Sequence, residues 1–300
     1  MCDDSTEREL QNYLAEKRLK RRAFNVGVGA TAAVMVVGCD GDDEPASTSD
    51  AGSELATKAS DVEIETPDGT IDAFFVHPET GKHAAVIMWP DILGVRDAFK
   101  TMSTRLAASG FAVVVVNQYY RTAQAPVLEG WAEWQSDAGK AKLQPNIEAI
   151  TPSGITSDAA ALVEWLDGQA VVDTSKKIGT CGYCMGGPYT FRTAASKPTR
   201  VGAFASLHGG GLVTMGEDSP HLLLPTIKAS ALIAIAMNDD ERAPDVKDEL
   251  KDAAADAGVQ AEIEVYPAPH GWCAIDSAAY DEEQADKAWN RMLALFQKAL

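Results

Sequence analysis

The most constraining feature of this chain is a set of short apolar runs that do not alternate. Val113-Val114-Val115-Val116 and Leu232-Ile233-Ala234-Ile235 present apolar side chains on consecutive positions. A strand with one wet face alternates, so runs of this kind belong to strands covered on both faces, as in a parallel sheet under helices. Eight segments read as strands: 62–65, 71–76, 84–89, 111–116, 177–181, 201–207, 231–236 and 262–266. Helical periodicity falls between them at 98–108, 128–141, 157–166, 185–195, 243–257 and 280–299, with Ser157 or Asp158 as an N-cap and Gly110 as a stop. Strands alternating with helices predict a mostly parallel, doubly wound α/β sheet. Ligands of such sheets sit at the carboxyl ends of the strands.

The first 39 residues have a different logic. Lys17 to Arg22 is basic, Val26 to Gly38 is small and apolar, and Cys39 follows. Charged, apolar and small-residue regions in that order predict an export signal. The apolar run is shorter than the roughly 20 residues a bilayer span needs. Arg21-Arg22-Ala23-Phe24 is similar to a twin-arginine export motif, and Val36-Val37-Gly38-Cys39 to a lipobox. The expectation is therefore an exported, periplasmic protein held to a membrane by a lipid on Cys39. Residues 40–60, rich in Asp, Gly and Ser, carry too little apolar matter to pack and are expected to form a flexible acidic tether. Residues 61–300 then make a single folded domain.

Composition matters here chiefly for what it excludes. The formal charge is −18, from 44 acidic and 26 basic residues, and a surface this negative repels a phosphate backbone, so nucleic acid is not an expected partner. The cysteines Cys2, Cys39, Cys181, Cys184 and Cys273 show neither a disulfide framework nor a zinc pattern. No metal and no organic cofactor is implied.

One strand, Lys177 to Cys181, runs straight into Gly182-Tyr183-Cys184-Met185-Gly186-Gly187 ahead of a helical segment. A nucleophile between glycines on a tight strand-to-helix turn is held exposed and strained. The helix N-terminus beyond it favours a thiolate. A cysteine nucleophile needs a base, and among the five histidines His270 is best placed, in a loop just past the last strand. His208, after the strand 201–207, could line the same pocket, whereas His77, His83 and His221 read as surface or loop residues. The histidine needs an orienting carboxylate. Asp239 and Asp240 both follow the strand 231–236, and spacing alone does not choose between them. The order nucleophile, acid, histidine is that of the α/β-hydrolases.

Over nearly all of 60–300 the sequence resembles the dienelactone hydrolase family. The resemblance rests on the Gly182–Gly187 elbow, Pro90-Asp91-Ile92-Leu93-Gly94-Val95, Asp240-Glu241-Arg242-Ala243-Pro244 and Pro269-His270-Gly271-Trp272. It implies a Cys184–His270–Asp240 triad acting on an ester or lactone. It implies an oxyanion hole of the Ile92 and Met185 amides, each worth about 3 kcal/mol in the transition state. Asp91 falls where the family usually carries a proton-accepting glutamate, and Arg121 on an arginine that binds a substrate carboxylate. A second such arginine would fall near Ala274, and none is there; one arginine anchors an anion less firmly than two. Two other readings compete: a lipid-anchored binding protein with vestigial catalytic residues, and a thiol–disulfide protein using the Cys181-x-x-Cys184 spacing.

Overall fold

A computed structural model describes residues 54–300. The expected export signal, with Cys39, and the tether up to residue 53 lie outside the described residues. An eight-stranded sheet forms from β1 (Thr57–Thr66), β2 (Gly69–Pro78), β3 (Ala85–Trp89), β4 (Ala112–Val116), β5 (Ile178–Tyr183), β6 (Val201–Leu207), β7 (Ser230–Ala236) and β8 (Ala261–Tyr266). Its order is β1-β2-β4-β3-β5-β6-β7-β8. β1, β2 and β4 pair antiparallel, and every other neighbour pair is parallel. The sheet is thus mostly parallel, as the non-alternating runs require, and all eight expected strands are present.

The tether gives way to structure earlier than its composition suggests. Thr57 to Ser60 already belong to β1, because the antiparallel register Thr57↔Pro78 satisfies their backbone groups at the sheet edge.

Helices cover both faces. α1 (Asp97–Ala108) and α8 (Glu282–Ala299) pack Phe99, Met102, Leu106, Met292 and Phe296 over Val86, Met88, Val113 and Val115. The opposite face of the sheet, with Ile87 and Val114 at its centre, is covered by α4 (Pro152–Asp167), α5 (Gly187–Ser196) and α7 (Val246–Ala257). Each valine run therefore feeds two cores at once, which is why it does not alternate.

The segment read as one helix over 128–141 breaks into α2 (Trp131–Trp134) and α3 (Asp137–Glu148), since the Ser136 hydroxyl accepts from the Gly139 amide at 3.0 Å and caps a new start. α4 likewise begins at Pro152, capped by Thr151. Neither Ser157 nor Asp158 caps it. Asp158 is buried inside the helix for another purpose, described below. A short α6 (Met237–Arg242) precedes α7, and Pro220–Thr226 forms a 3₁₀ helix. Among the described residues no helix is long and apolar enough to cross a membrane.

Candidate active site

The β5–α5 turn is built by close approach. A Cβ on Gly182 would sit 2.0 Å from the Gly186 carbonyl oxygen, and one on Gly186 would sit 2.4 Å from that of Trp89. No side chain fits at either position. Between them Cys184 opens a one-turn 3₁₀ segment, Cys184–Gly186, at φ 52°. A non-glycine residue there stores roughly 1–3 kcal/mol of strain, which surrounding contacts must hold. They do: the Cys184 amide donates to His208 Nδ1 at 3.1 Å, and the Gly210 amide donates to the Cys184 carbonyl at 3.3 Å.

His208 accordingly does not occupy the expected place. It is fully buried beneath the elbow, itself at φ 41°, and is absent from the cavity wall. Accepting the Cys184 amide places its proton on Nε2. Burial, and the neighbouring His270, push its pKa well below the usual histidine range, so it is a neutral support and not a substrate ligand.

His270 follows β8. Its ring lies edge-on to His208, centroids 5.0 Å apart, and its amide donates to Asn238 Oδ1 at 2.8 Å. His270 Nδ1 donates to Asp239 Oδ2 at 2.6 Å. This corrects the expected acid. Asp240 turns away to accept from Lys247 Nζ at 2.8 Å, while the second oxygen of Asp239 accepts from Arg242 at 2.6 Å. Both aspartates sit in α6, where neighbours project about 100° apart, so only one can face the histidine.

Cys184, Met185, Ile92 and His270 line one cavity of about 350 Å³. Its remaining wall is largely apolar, from Ile147, Ile150, Ile155, Pro188, Tyr189 and Pro220, with Arg192 and Asp218 as charged members. A larger groove of about 890 Å³ runs along Asp61, Asp72, Arg96, Lys100 and Ile275, but neither Cys184 nor His270 reaches it. Cavity size therefore does not mark the chemistry; the side chains do.

The loop after β3 is held by contacts that the sequence does not announce. Asp91 is buried and bonds Arg96 twice, Oδ1 to Nη1 at 2.7 Å and Oδ2 to Nη2 at 2.9 Å, and it also accepts the Leu93 amide at 2.9 Å. Burial raises its pKa, with Arg96 opposing. Asp91 is thus a loop brace, committed to an arginine, and the expected proton-accepting role fails for lack of a free oxygen facing the cavity. Arg96 also holds Asp276, at 2.7 and 2.8 Å. Gln118 donates to the Asp91 carbonyl at 2.8 Å, and the Tyr119 hydroxyl donates to the Ile92 carbonyl at 2.7 Å.

Arg121 is likewise spoken for. It bonds both oxygens of Asp158 at 2.8 Å and Asp68 at 2.6 Å, it lies over the Tyr120 ring, and it takes no part in the cavity wall. This explains the buried Asp158 in α4. The expected substrate-binding role of Arg121 is not supported by its position. Among the described residues, Cys181, Cys184 and Cys273 form no disulfide with one another. Cys181 is buried in the sheet with its pKa driven up by desolvation, a poor environment for redox exchange.

The "Dienelactone hydrolase family" model matches residues 71–300. A protein of Methylorubrum extorquens named "Putative carboxymethylenebutenolidase" is 26% identical over 298 residues, 97% of each chain. One of the same name from Synechocystis is 29% identical over 225 residues, 73% of this chain and 88% of its own. Among solved structures, "Putative Dienelactone Hydrolase" from Klebsiella pneumoniae superposes with a TM-score of 0.71 at 23% identity, covering 81% of this chain and 99% of that one. With a shared α/β-hydrolase architecture and a family match over most of its length, the chain belongs to the dienelactone hydrolase family and is a hydrolase.

Proposed function

We propose that the protein cleaves carboxylic ester or lactone bonds with a Cys184–His270–Asp239 triad. The observation that carries this reading is the cavity shared by a strained Cys184 and a His270 whose Nδ1 is fixed on Asp239. Fixing Nδ1–H leaves Nε2 as the basic nitrogen on the other side of the ring.

Cys184 gives its thiol proton to His270 Nε2, and the thiolate attacks the acyl carbon, forming a C–S bond while the carbonyl π-electrons move onto oxygen. The amides of Ile92 and Met185, two residues of the cavity wall, receive that oxyanion. Collapse expels the alkoxide, which takes a proton from His270, leaving a thioester. His270 then removes a proton from water. The hydroxide adds to the thioester, the Cys184 thiolate leaves, and the acid is released. The braces on the loop after β3 keep the Ile92 amide in position throughout.

Turnover of p-nitrophenyl esters and unsaturated lactones by wild type, and its loss in Cys184→Ala, tests the assignment. Ester cleavage persisting in Cys184→Ala rejects it; tight binding of these compounds without turnover by wild type supports a binding protein instead. The N-terminal basic-apolar-cysteine order supports export with lipidation of Cys39, which membrane fractionation of wild type and Cys39→Ala checks.

A further inference from the structure

The turn after β3 carries an amide with nothing to bond. Asp91–Gly94 is closed by the Gly94 amide, which donates to the Asp91 carbonyl at 3.0 Å. Ile92 is buried at the first central position, and among the described residues its amide has no acceptor. Backbone N–H groups of buried residues are nearly always paired, so an unpaired one asks for a reason.

The peptide unit that ends in this amide begins at the Asp91 carbonyl, and that oxygen accepts a second bond. Gln118, two residues past β4, donates to it through Nε2 at 2.8 Å. Gln118 is 1% exposed, and among the described residues its Oε1 has no hydrogen-bond partner. Methionine would fill similar space without stranding an acceptor, so packing alone does not account for an amide here. The donor end does. A hydrogen bond to a peptide oxygen polarises the whole unit and strengthens its N–H as a donor, by about 10–30% per bond. The unit is planar, so fixing its oxygen also fixes the direction of its N–H.

The Met185 amide is arranged in the same way. Its peptide unit begins at the Cys184 carbonyl, which accepts from the Gly210 amide at 3.3 Å. Both units are therefore bonded from behind. At Asp91 one of the rear donors is a side chain, so it can be removed without altering the backbone.

We propose that Gln118 is a positioning residue of the reaction, whose Nε2 orients and polarises the Asp91–Ile92 peptide so that the Ile92 amide receives the oxyanion. This rests on the reading of Cys184 as nucleophile and Ile92 as an oxyanion donor. Gln118 is not part of the cavity wall; it acts through the peptide in front of it. Its effect grows as negative charge develops on the substrate oxygen, and so belongs to kcat.

The test uses the full chain, Gln118→Met and p-nitrophenyl acetate. In Gln118→Met kcat should fall about 10-fold while KM stays within about twofold. Two reagents for Cys184 separate this from damage to the elbow. A trifluoromethyl ketone adds to the sulfur and leaves an oxyanion, so its inhibition should weaken by about the same factor as kcat. Iodoacetamide alkylates the sulfur by displacing iodide and forms no oxyanion, so its rate should stay within about twofold. Equal losses with both reagents, or an unchanged kcat, overturns the proposal. Where Gln118→Met does not fold, Gln118→Glu decides. Its carboxyl can donate to the Asp91 carbonyl only while protonated, and Asp91, Arg96 and Tyr119 around it are common to both proteins. Its kcat relative to wild type should therefore climb as pH is lowered from about 8 to about 6, and a flat ratio overturns the proposal. A wild type without ester turnover, or turnover that survives Cys184→Ala, removes the nucleophile reading and this proposal with it; the other outcomes leave that reading standing.

Discussion

The choice between two adjacent aspartates gives the sharpest prediction. Asp239→Asn removes the charge facing His270 Nδ1 but keeps a hydrogen-bonding group of the same shape. The contact is 2.6 Å long and the His270 side chain is 6% exposed, so the pair acts in a partly dry setting. Two unit charges about 4 Å apart at an effective dielectric of about 20 interact by roughly 4 kcal/mol. That interaction exists only while the imidazole is protonated, which is when it passes a proton between water, sulfur and leaving group. Losing it should slow the steps through imidazolium by about 10³-fold. A cysteine thiolate depends less on its base for attack than a serine does, so the loss should fall chiefly on deacylation. Stopped-flow with a p-nitrophenyl ester should show a burst of about one equivalent followed by a slowed steady state. Asp240→Asn, which breaks the contact with Lys247, should leave both phases within about twofold of wild type, since a surface ion pair pointing away from the histidine contributes little. A crippled Asp240→Asn beside an unaffected Asp239→Asn would refute the reasoning.

Three further outcomes follow from the buried ionic groups. Arg121→Ala leaves the buried carboxylate of Asp158 without its countercharge, held by the Tyr120 hydroxyl at 2.6 Å, and should cost about 2–4 kcal/mol of stability, lowering Tm by roughly 10 °C, with KM little changed; a raised KM at constant Tm would restore the substrate-binding role. His208 has a folded-state pKa below its unfolded value of 6.5, so the unfolded chain binds the extra proton first. Its stabilising effect is complete above that value and is lost as pH falls below it, by about 1.4 kcal/mol per pH unit; urea titrations of His208→Gln should lack this component of the acid sensitivity. Asp91→Ala should lower kcat by about tenfold while KM moves little, because the loop presenting the Ile92 amide loses its brace and that amide acts on the transition state.

How much of this was legible in the sequence differs by kind of residue. The strands were, because consecutive apolar residues such as Val113 to Val116 report two-sided burial directly. That Cys184 and His270 would line one cavity was, because glycines at 182 and 186 and a loop after the last strand are local signals. The acid was not: α6 is a single helical turn and a half, and which of two neighbouring carboxylates faces the histidine depends on how β7 delivers that turn. The motif reading through Pro244 pointed to Asp240, and the hydrogen bond goes to Asp239. Arg121 failed for a related reason, since its partner Asp158 lies 37 residues away and reads locally as a helix cap. Arg192 gave no signal, because an arginine in an amphipathic helix ordinarily points to water. Asp91-x-x-x-x-Arg96 is a spacing that could have suggested a brace, although nothing local says that the pair is buried.

Arg96 grips Asp91 on one side and Asp276 on the other, and Asp276 lies only six positions past His270. The strip that would cradle the oxyanion and the strip that carries the base are therefore clasped by one planar group, although they are far apart in sequence. Lengthening or grafting either strip alone would misalign the other. Relatives with a different histidine loop should accordingly differ in the strip after β3 as well, and swaps that move both strips with their shared arginine are the ones expected to keep turnover.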